Sequence, residues 1–321
     1  MTDMQEATLP WFTPETGQLA PAAATLLDFM RSRGAAPASV DGSASKGNLS
    51  GRSEPVDHVE DMQVDGAEAP IGARLYRPAG HQAGPLLLWF HGGGFVAGGL
   101  HSHDFPLRAL ANRASCAILA VDYRLAPAHP FPAAIRDAAA SIGWAIAHAA
   151  SLGLDPGRIM VGGDSAGGNI ATVGAMLARD QGADPIALQI LVYPDADARA
   201  GFNHPSWSEH DGLVLDRIGK DASLDQYLPA GIDRTQPHMS PALAPLQALH
   251  GLPAALIVTA EFDPQRDEAE LYAARLRQAG VRVALTRYPG MIHGFFQMAG
   301  VLKEGRVLID QMATAIGSIR R

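Results

Sequence analysis

The sequence predicts an α/β protein built on a mostly parallel, eight-stranded sheet with helices on both faces and a helical cap. Short apolar runs alternate with longer helical stretches from residue 56 onward, and parallel strands need the long crossovers that helices supply. Two of these apolar runs lead straight into glycine clusters, His91-Gly92-Gly93-Gly94 and Gly163-Asp164-Ser165-Ala166-Gly167-Gly168. The rhythm breaks between Asp195 and Gly251, too long an interval for an ordinary connection in a compact domain.

Taken in order, residues 1–33 contain one helix, at 19–31, with Leu26, Leu27, Phe29 and Met30 on its apolar side. Residues 34–55 are rich in Gly, Ser, Ala and Pro and read as a loop or linker. Runs at 56–64 and 71–76, joined by a turn around Asp65 and Gly66, form an antiparallel edge pair. The remaining strands are expected at 86–90, 116–121, 158–161, 188–193, 255–259 and 281–287. Helices are expected at 105–113, 132–151, 166–180, 265–278 and 306–319. An insertion at about 196–250 interrupts a catalytic domain spanning 55–321. With an N-terminal segment at 1–54, it is expected to cap the carboxyl ends of the strands, where open α/β sheets bind ligands. No internal repeat is visible.

Composition narrows the function classes. A chain of 321 residues, 47% hydrophobic and 18% charged, has the profile of a globular protein with a large core. Its net charge of −8, with no long run of like charge, makes nucleic acid and anionic membrane poor partners. Cys116 is the only cysteine, so no intramolecular disulfide framework exists and a reducing, cytoplasmic setting is expected. Its apolar surroundings, 114–121, mark it as buried packing. The first residues include Asp3 and Glu6 and lack the basic and apolar segments of a signal peptide. No apolar run reaches the roughly 18 residues of a membrane span, so no membrane insertion is expected. If the chain associates, a homodimer is the commonest symmetric assembly.

The glycine cluster at 163–168 follows a strand and opens a helix rich in Ala, Met and Leu. This is the G-x-S-x-G pattern, in which small residues let a strand turn directly into a helix and present the central Ser at the helix N-terminus. A glycine-rich turn that merely packs a helix on a strand is the plainer alternative. No phosphate-loop Lys follows, and no G-x-G-x-x-G is present. The second cluster, His91 to Phe95, also leaves a strand at its carboxyl end. Bare backbone N–H groups can converge there on the oxyanion of an acyl-transfer intermediate, each typically contributing about 3 to 4 kcal/mol to its stabilisation. The expected donors are Gly93, Gly94 and Ala166, with His91 bracing the loop.

A serine hydroxyl needs a base, and the base needs an orienting group. In this strand-turn-helix setting the partners follow in the order Ser, acid, His, and beyond His250 the only histidine is His293. For the acid, Asp263 follows the strand at 255–259 and precedes Pro264, while Asp195, after the strand ending at Tyr193, competes with it. Asp267 and Glu268 fit as first-turn helix carboxylates. His101, His103 and Asp104 carry no metal-ligand spacing and are expected to be loop residues, so neither metal nor cofactor is implied. Phe95, Trp207, Leu213 and Phe295 are the candidates for lining an acyl pocket.

Together these motifs resemble the hormone-sensitive lipase family of bacterial esterases and lipases, within the α/β-hydrolase superfamily. The resemblance rests on His91 to Gly94, Asp164 to Gly168, Asp263-Pro264 with Asp267-Glu268, and His293-Gly294-Phe295. Tyr123 to Pro127 and His129 to Ala134 are also similar, and the match runs from about residue 55 to the end. One departure is Ala128, where the family usually has Glu, which is expected to weaken a buried polar contact behind the site. The resemblance implies hydrolysis of carboxylic esters, and a cap over the site favours small-molecule substrates of short to medium acyl chain. The expected route is an acyl-enzyme on Ser165, with His293 as base and Asp263 as its orienting acid. The same apparatus also serves amide, lactone or carbamate cleavage. A non-catalytic ligand receptor on this scaffold would be expected to lack one of the three residues.

Overall fold

Alternation along the central strands sets the architecture. In β3 (Gly84–Phe90), Leu86, Leu88 and Phe90 enter one apolar core while Leu87 and Trp89 enter another, all with no exposure. Such a strand is buried on both faces and must be covered by helices on both. The computed structural model describes residues 16–32, 49–80, 83–183, 186–199 and 204–319. Most of the expected linker, together with residues 1–15 of the N-terminal segment, lies outside the described residues.

The sheet has eight strands in the order β1-β2-β4-β3-β5-β6-β7-β8. β1 (His58–Asp65) and β2 (Pro70–Arg77) form the antiparallel edge pair, and β2 also runs antiparallel to β4 (Ala117–Val121). All later pairings are parallel, through β5 (Leu154–Asp164), β6 (Ile186–Val192), β7 (Ala255–Phe262) and β8 (Val283–Ile292). Leu88 of β3 lies opposite both Leu119 and Val161, so the middle of the sheet is continuous apolar surface. Each large side chain fully buried there stabilises the fold by about 1.5–3 kcal/mol.

One face packs α3 (Ala133–His148), α4 (Ala166–Asp180) and α8 (Arg266–Gln278); the other packs α1 (Pro21–Ser32), α2 (Asp104–Ala114) and α9 (Lys303–Gly317). The apolar side of α1 is Leu26, Leu27 and Met30, while Phe29, expected with them, is 52% exposed. Between β6 and β7 come four short pieces: α5 (Pro205–His210), α6 (Arg217–Tyr227), a 3-10 turn at Pro241–Leu243 and α7 (Leu246–Leu249). The ends of β5, β7 and β8 and the loop after β3 converge at one edge of the sheet, and there the glycine clusters meet.

Candidate active site

Ser165 stands between β5 and α4 with φ 55° and ψ −125°, a backbone conformation that costs a non-glycine residue energy and persists only where its surroundings enforce it. Enforcement comes from close approach. A Cβ on Gly163 or Gly167 would overlap the carbonyl oxygens of Gly167 and Phe90 respectively, so only hydrogen fits at either position. The Ser165 N–H donates to the Val192 carbonyl at 2.9 Å, and its carbonyl accepts from Gly168 at 2.9 Å and Asp195 at 3.1 Å. The strained corner is thus pinned to the end of β6.

The loop after β3 lies beside this corner. Gly93 and Gly94 have φ of 133° and 62°, values a side chain would resist, and the Gly93 carbonyl accepts from Ala97 at 3.0 Å to close a tight turn. Among the described residues no acceptor takes the N–H of Gly93, Gly94 or Ala166. His91 points its Nδ1 at the Gly92 carbonyl, 2.9 Å away, and its ring stacks on Tyr123 with centroids 4.3 Å apart. Tyr123 in turn donates to the His91 carbonyl at 2.6 Å.

Three distant segments then meet. His293 Nε2 lies 3.0 Å from Ser165 Oγ, and His293 Nδ1 lies 2.8 Å from Asp263 Oδ2. A carboxylate can only accept, so Nδ1 carries the proton and Nε2 is left to accept from the serine hydroxyl. Asp263 is fully buried, and its other oxygen takes the Gln265 N–H at 2.9 Å. Tyr193 packs its ring 4.6 Å from that of His293 and limits how the imidazole can turn. This arrangement can move a proton from the hydroxyl to the imidazole while bare N–H groups stand close by.

Asp195, the rival acid, is engaged elsewhere. Its Oδ2 pairs with Lys220 of α6 in a buried ion pair, and its carbonyl takes the Asn169 side chain at 3.0 Å. Glu268 lies in the same buried cluster, accepting from Ala196 N–H at 3.0 Å and Trp207 Nε1 at 3.2 Å. Burial pushes the Glu268 carboxyl up to about 8, Lys220 opposing the rise and Asp195 adding to it. Burial alone would lower the Lys220 ammonium, but Asp195 and Glu268 outweigh it and hold it above its ordinary value. Asp267 and Glu268 are indeed first-turn carboxylates of α8, yet Glu268 is also a buried contact to the insertion, which its helix position did not foretell.

Several expectations need correction. His103 and Asp104 are not plain loop residues: His103 is 1% exposed and touches Asp164 and Ser102, while Asp104 opens α2 and binds Arg74, Tyr76 and Arg108. His101 is exposed. Phe95, Trp207 and Phe295 are buried to within 1%; Phe95 stacks on Tyr227 at 4.2 Å, and Phe295 packs between Tyr193 and Tyr288. They pack in the interior because partner rings or Glu268 cover them, and of the four pocket candidates only Leu213 is partly exposed. Ala128 is exposed, so the departure there removes no buried contact. Nothing local in the sequence marks Glu261, which accepts from Gly290 N–H at 2.6 Å and Gly17 N–H at 2.8 Å, tying the end of β8 before His293 to the N-terminal segment. Burial raises this carboxyl, but the N–H groups of Gly290, Gly17 and Thr16 outweigh that and hold it below its ordinary value.

The alpha/beta hydrolase fold family matches residues 87–297, which include all of the reacting groups described above. The chain belongs to the α/β-hydrolase family. Among α/β hydrolases it is 48% identical over 221 residues to Carboxylesterase NlhH of Mycobacterium tuberculosis, covering 68% of each chain. It is 37% identical over 264 residues to the Ethyl acetate hydrolase of Pseudomonas putida, covering 80% of this chain and 81% of that one. The solved structure of an esterase from Pyrobaculum calidifontis superposes with a TM-score of 0.84 at 38% identity, over 94% of this hydrolase and 98% of that chain. Among the described residues of this α/β hydrolase, no helix is long and apolar enough to cross a membrane, and no group of three or more His, Cys, Asp or Glu is placed to hold a metal ion.

Proposed function

We propose that this α/β hydrolase is a serine carboxylesterase acting on short- to medium-chain carboxylic esters. Ser165 attacks the ester carbonyl while His293 takes its proton, and Asp263 holds the imidazole in the tautomer that can accept it. The oxyanion of the tetrahedral intermediate is met by the N–H groups of Gly93, Gly94 and Ala166. His293 then protonates the leaving alcohol, and water activated by the same imidazole releases the acid from the acyl-enzyme.

The observation that carries this reading is the unbroken hydrogen-bonded chain from Ser165 Oγ through His293 to Asp263, at 3.0 and 2.8 Å. The esterase names of the relatives support the ester class. The N-terminal segment to residue 54 and the insertion at about 196–250 form the cap, a role supported for the insertion by the contacts of Lys220, Trp207 and Tyr227 with residues beside the site, and for the N-terminal segment by the Gly17 N–H on Glu261, two residues from Asp263. The lone, buried Cys116 fits a reducing, cytoplasmic setting.

The test is hydrolysis of p-nitrophenyl esters of increasing acyl length by the wild-type chain and by Ser165→Ala. A rate maximum at short to medium chains, abolished in the variant, together with covalent labelling of Ser165 by a fluorophosphonate, is the expected result. Retention of full activity by Ser165→Ala would overturn the assignment.

A further inference from the structure

A second chain of buried polar groups runs behind Ser165, and it involves no atom of the triad. Asp164, 2% exposed and immediately before the serine, accepts the Gly92 N–H on Oδ1 at 3.1 Å. His103 Nε2 lies 2.8 Å from that same oxygen. His103 Nδ1 lies 2.8 Å from Ser102 Oγ, which donates to the Gly99 carbonyl at 2.7 Å and accepts the Gly99 N–H at 3.2 Å. Gln297, four residues after His293, completes the group by donating to Asp164 Oδ2 at 3.2 Å and touching His103 Nε2.

A carboxylate can only accept, so His103 Nε2 carries a proton toward Asp164 Oδ1, and Nδ1 faces the Ser102 hydroxyl. The path Gly99–Ser102–His103–Asp164–Gly92 therefore begins and ends on the same loop. Residues 92 and 99 bracket Gly93 and Gly94, and both ends of the loop are tied to one carboxylate oxygen, itself attached to the residue before Ser165.

We propose that His103 and Asp164 are positioning residues, a buried clamp that holds the Gly93 and Gly94 amides in register with the serine hydroxyl. This rests on the reading of those amides as oxyanion donors. The clamp touches neither substrate nor the triad imidazole and acts only through the loop. Because preorganised donors lower the barrier without tightening ground-state binding, loosening them should reduce kcat and leave KM nearly unchanged.

The experiment compares the wild-type chain with His103→Leu, His103→Gln and Ser102→Ala, measuring kcat and KM on p-nitrophenyl butyrate and the inhibition constant of phenylboronic acid, which mimics the tetrahedral state. Thermal melts check folding. His103→Leu is expected to lose about 10- to 100-fold in kcat with KM within about threefold, and to bind the boronic acid more weakly by a similar factor. His103→Gln, whose amide can still donate to Asp164, should recover much of both. Ser102→Ala, at a half-buried position, should shift both in the same direction by up to about tenfold. A folded His103→Leu with unchanged kcat and boronate affinity, or with its whole loss in KM, overturns the clamp. If His103→Leu does not fold, unchanged values in Ser102→Ala overturn it instead. A wild-type chain that neither cleaves the ester nor takes a fluorophosphonate on Ser165 would defeat the esterase reading and the clamp together, whereas active wild type with unaffected variants defeats the clamp alone.

Discussion

Beneath the reacting groups the chain relies on its backbone: Gly163 and Gly167 let carbonyls pass where a methyl group would not fit, and Ser165 keeps a left-handed φ of 55° between them. On the side of the insertion it relies instead on paired side chains, with Lys220 on Asp195, Tyr227 on Phe95 and Trp207 on Glu268. The first kind of construction has almost no freedom, since each atom is placed by a peptide bond one or two residues away. The second depends on desolvated charges and stacked rings, whose strength changes with a single substitution or with pH. The difference separates where chemistry happens from where its accessibility can be tuned.

The largest effect should come from the backbone-built side. Ser165→Ala is expected to lower kcat by about 10⁴- to 10⁶-fold with little change in melting temperature, measured by ester hydrolysis and calorimetry. Asp263→Asn should follow at about 10⁴-fold, because an amide in place of the carboxylate favours the wrong imidazole tautomer. If Asp195→Asn proved the more damaging of the two carboxylate changes to kcat in folded protein, the assignment of the acid would fail. On the other side the expected signature is stability. Lys220→Met leaves the Asp195 charge buried without its partner and should cost about 3–5 kcal/mol in urea unfolding. Gly167→Ala forces a methyl group against the Phe90 carbonyl and should cost about 1–3 kcal/mol, with a fall in kcat as the elbow shifts.

The smallest effect is one of pH. Glu268 titrates at about 8 in the folded chain against an ordinary value of 4.5. Folding therefore favours its protonated form, and the stability this contributes is complete below pH 4.5 and is lost as pH rises through 8. Glu268→Gln, which stays neutral, should lack that decline. Melting curves from pH 5 to 9 should show the wild type losing ground to the variant as pH rises, and a gap that does not change with pH would remove Glu268 from the account.

The two kinds of construction also differ in how far the sequence discloses them. The elbow, the glycine loop and the order Ser, acid, His are local patterns, and the helix opening at Ala166 and closing at Asp180 was legible to the residue. Strand ends were less so. β8 continues to Ile292 across Pro289 and Gly290, five residues past the expected end at 287, because it lies at the edge of the sheet where a missing N–H is tolerated. β5 begins at Leu154 because Gly84 of β3 pairs with it across an irregular register, an interaction no local pattern encodes. Lys220 sits in an insertion without apolar periodicity, and its partner is 25 residues earlier. The contact of His103 with Asp164 likewise joins segments that only tertiary folding brings together, so neither residue announces its partner.

Cys116 immediately precedes β4 with no exposure, and burial raises its thiol far above the ordinary range, so the reactive thiolate is suppressed. The folded protein consequently offers alkylating and disulfide-forming reagents no native target. A cysteine introduced at Ile218, 84% exposed on α6, would be the sole attachment point for a fluorescent or spin label reporting on that helix during turnover.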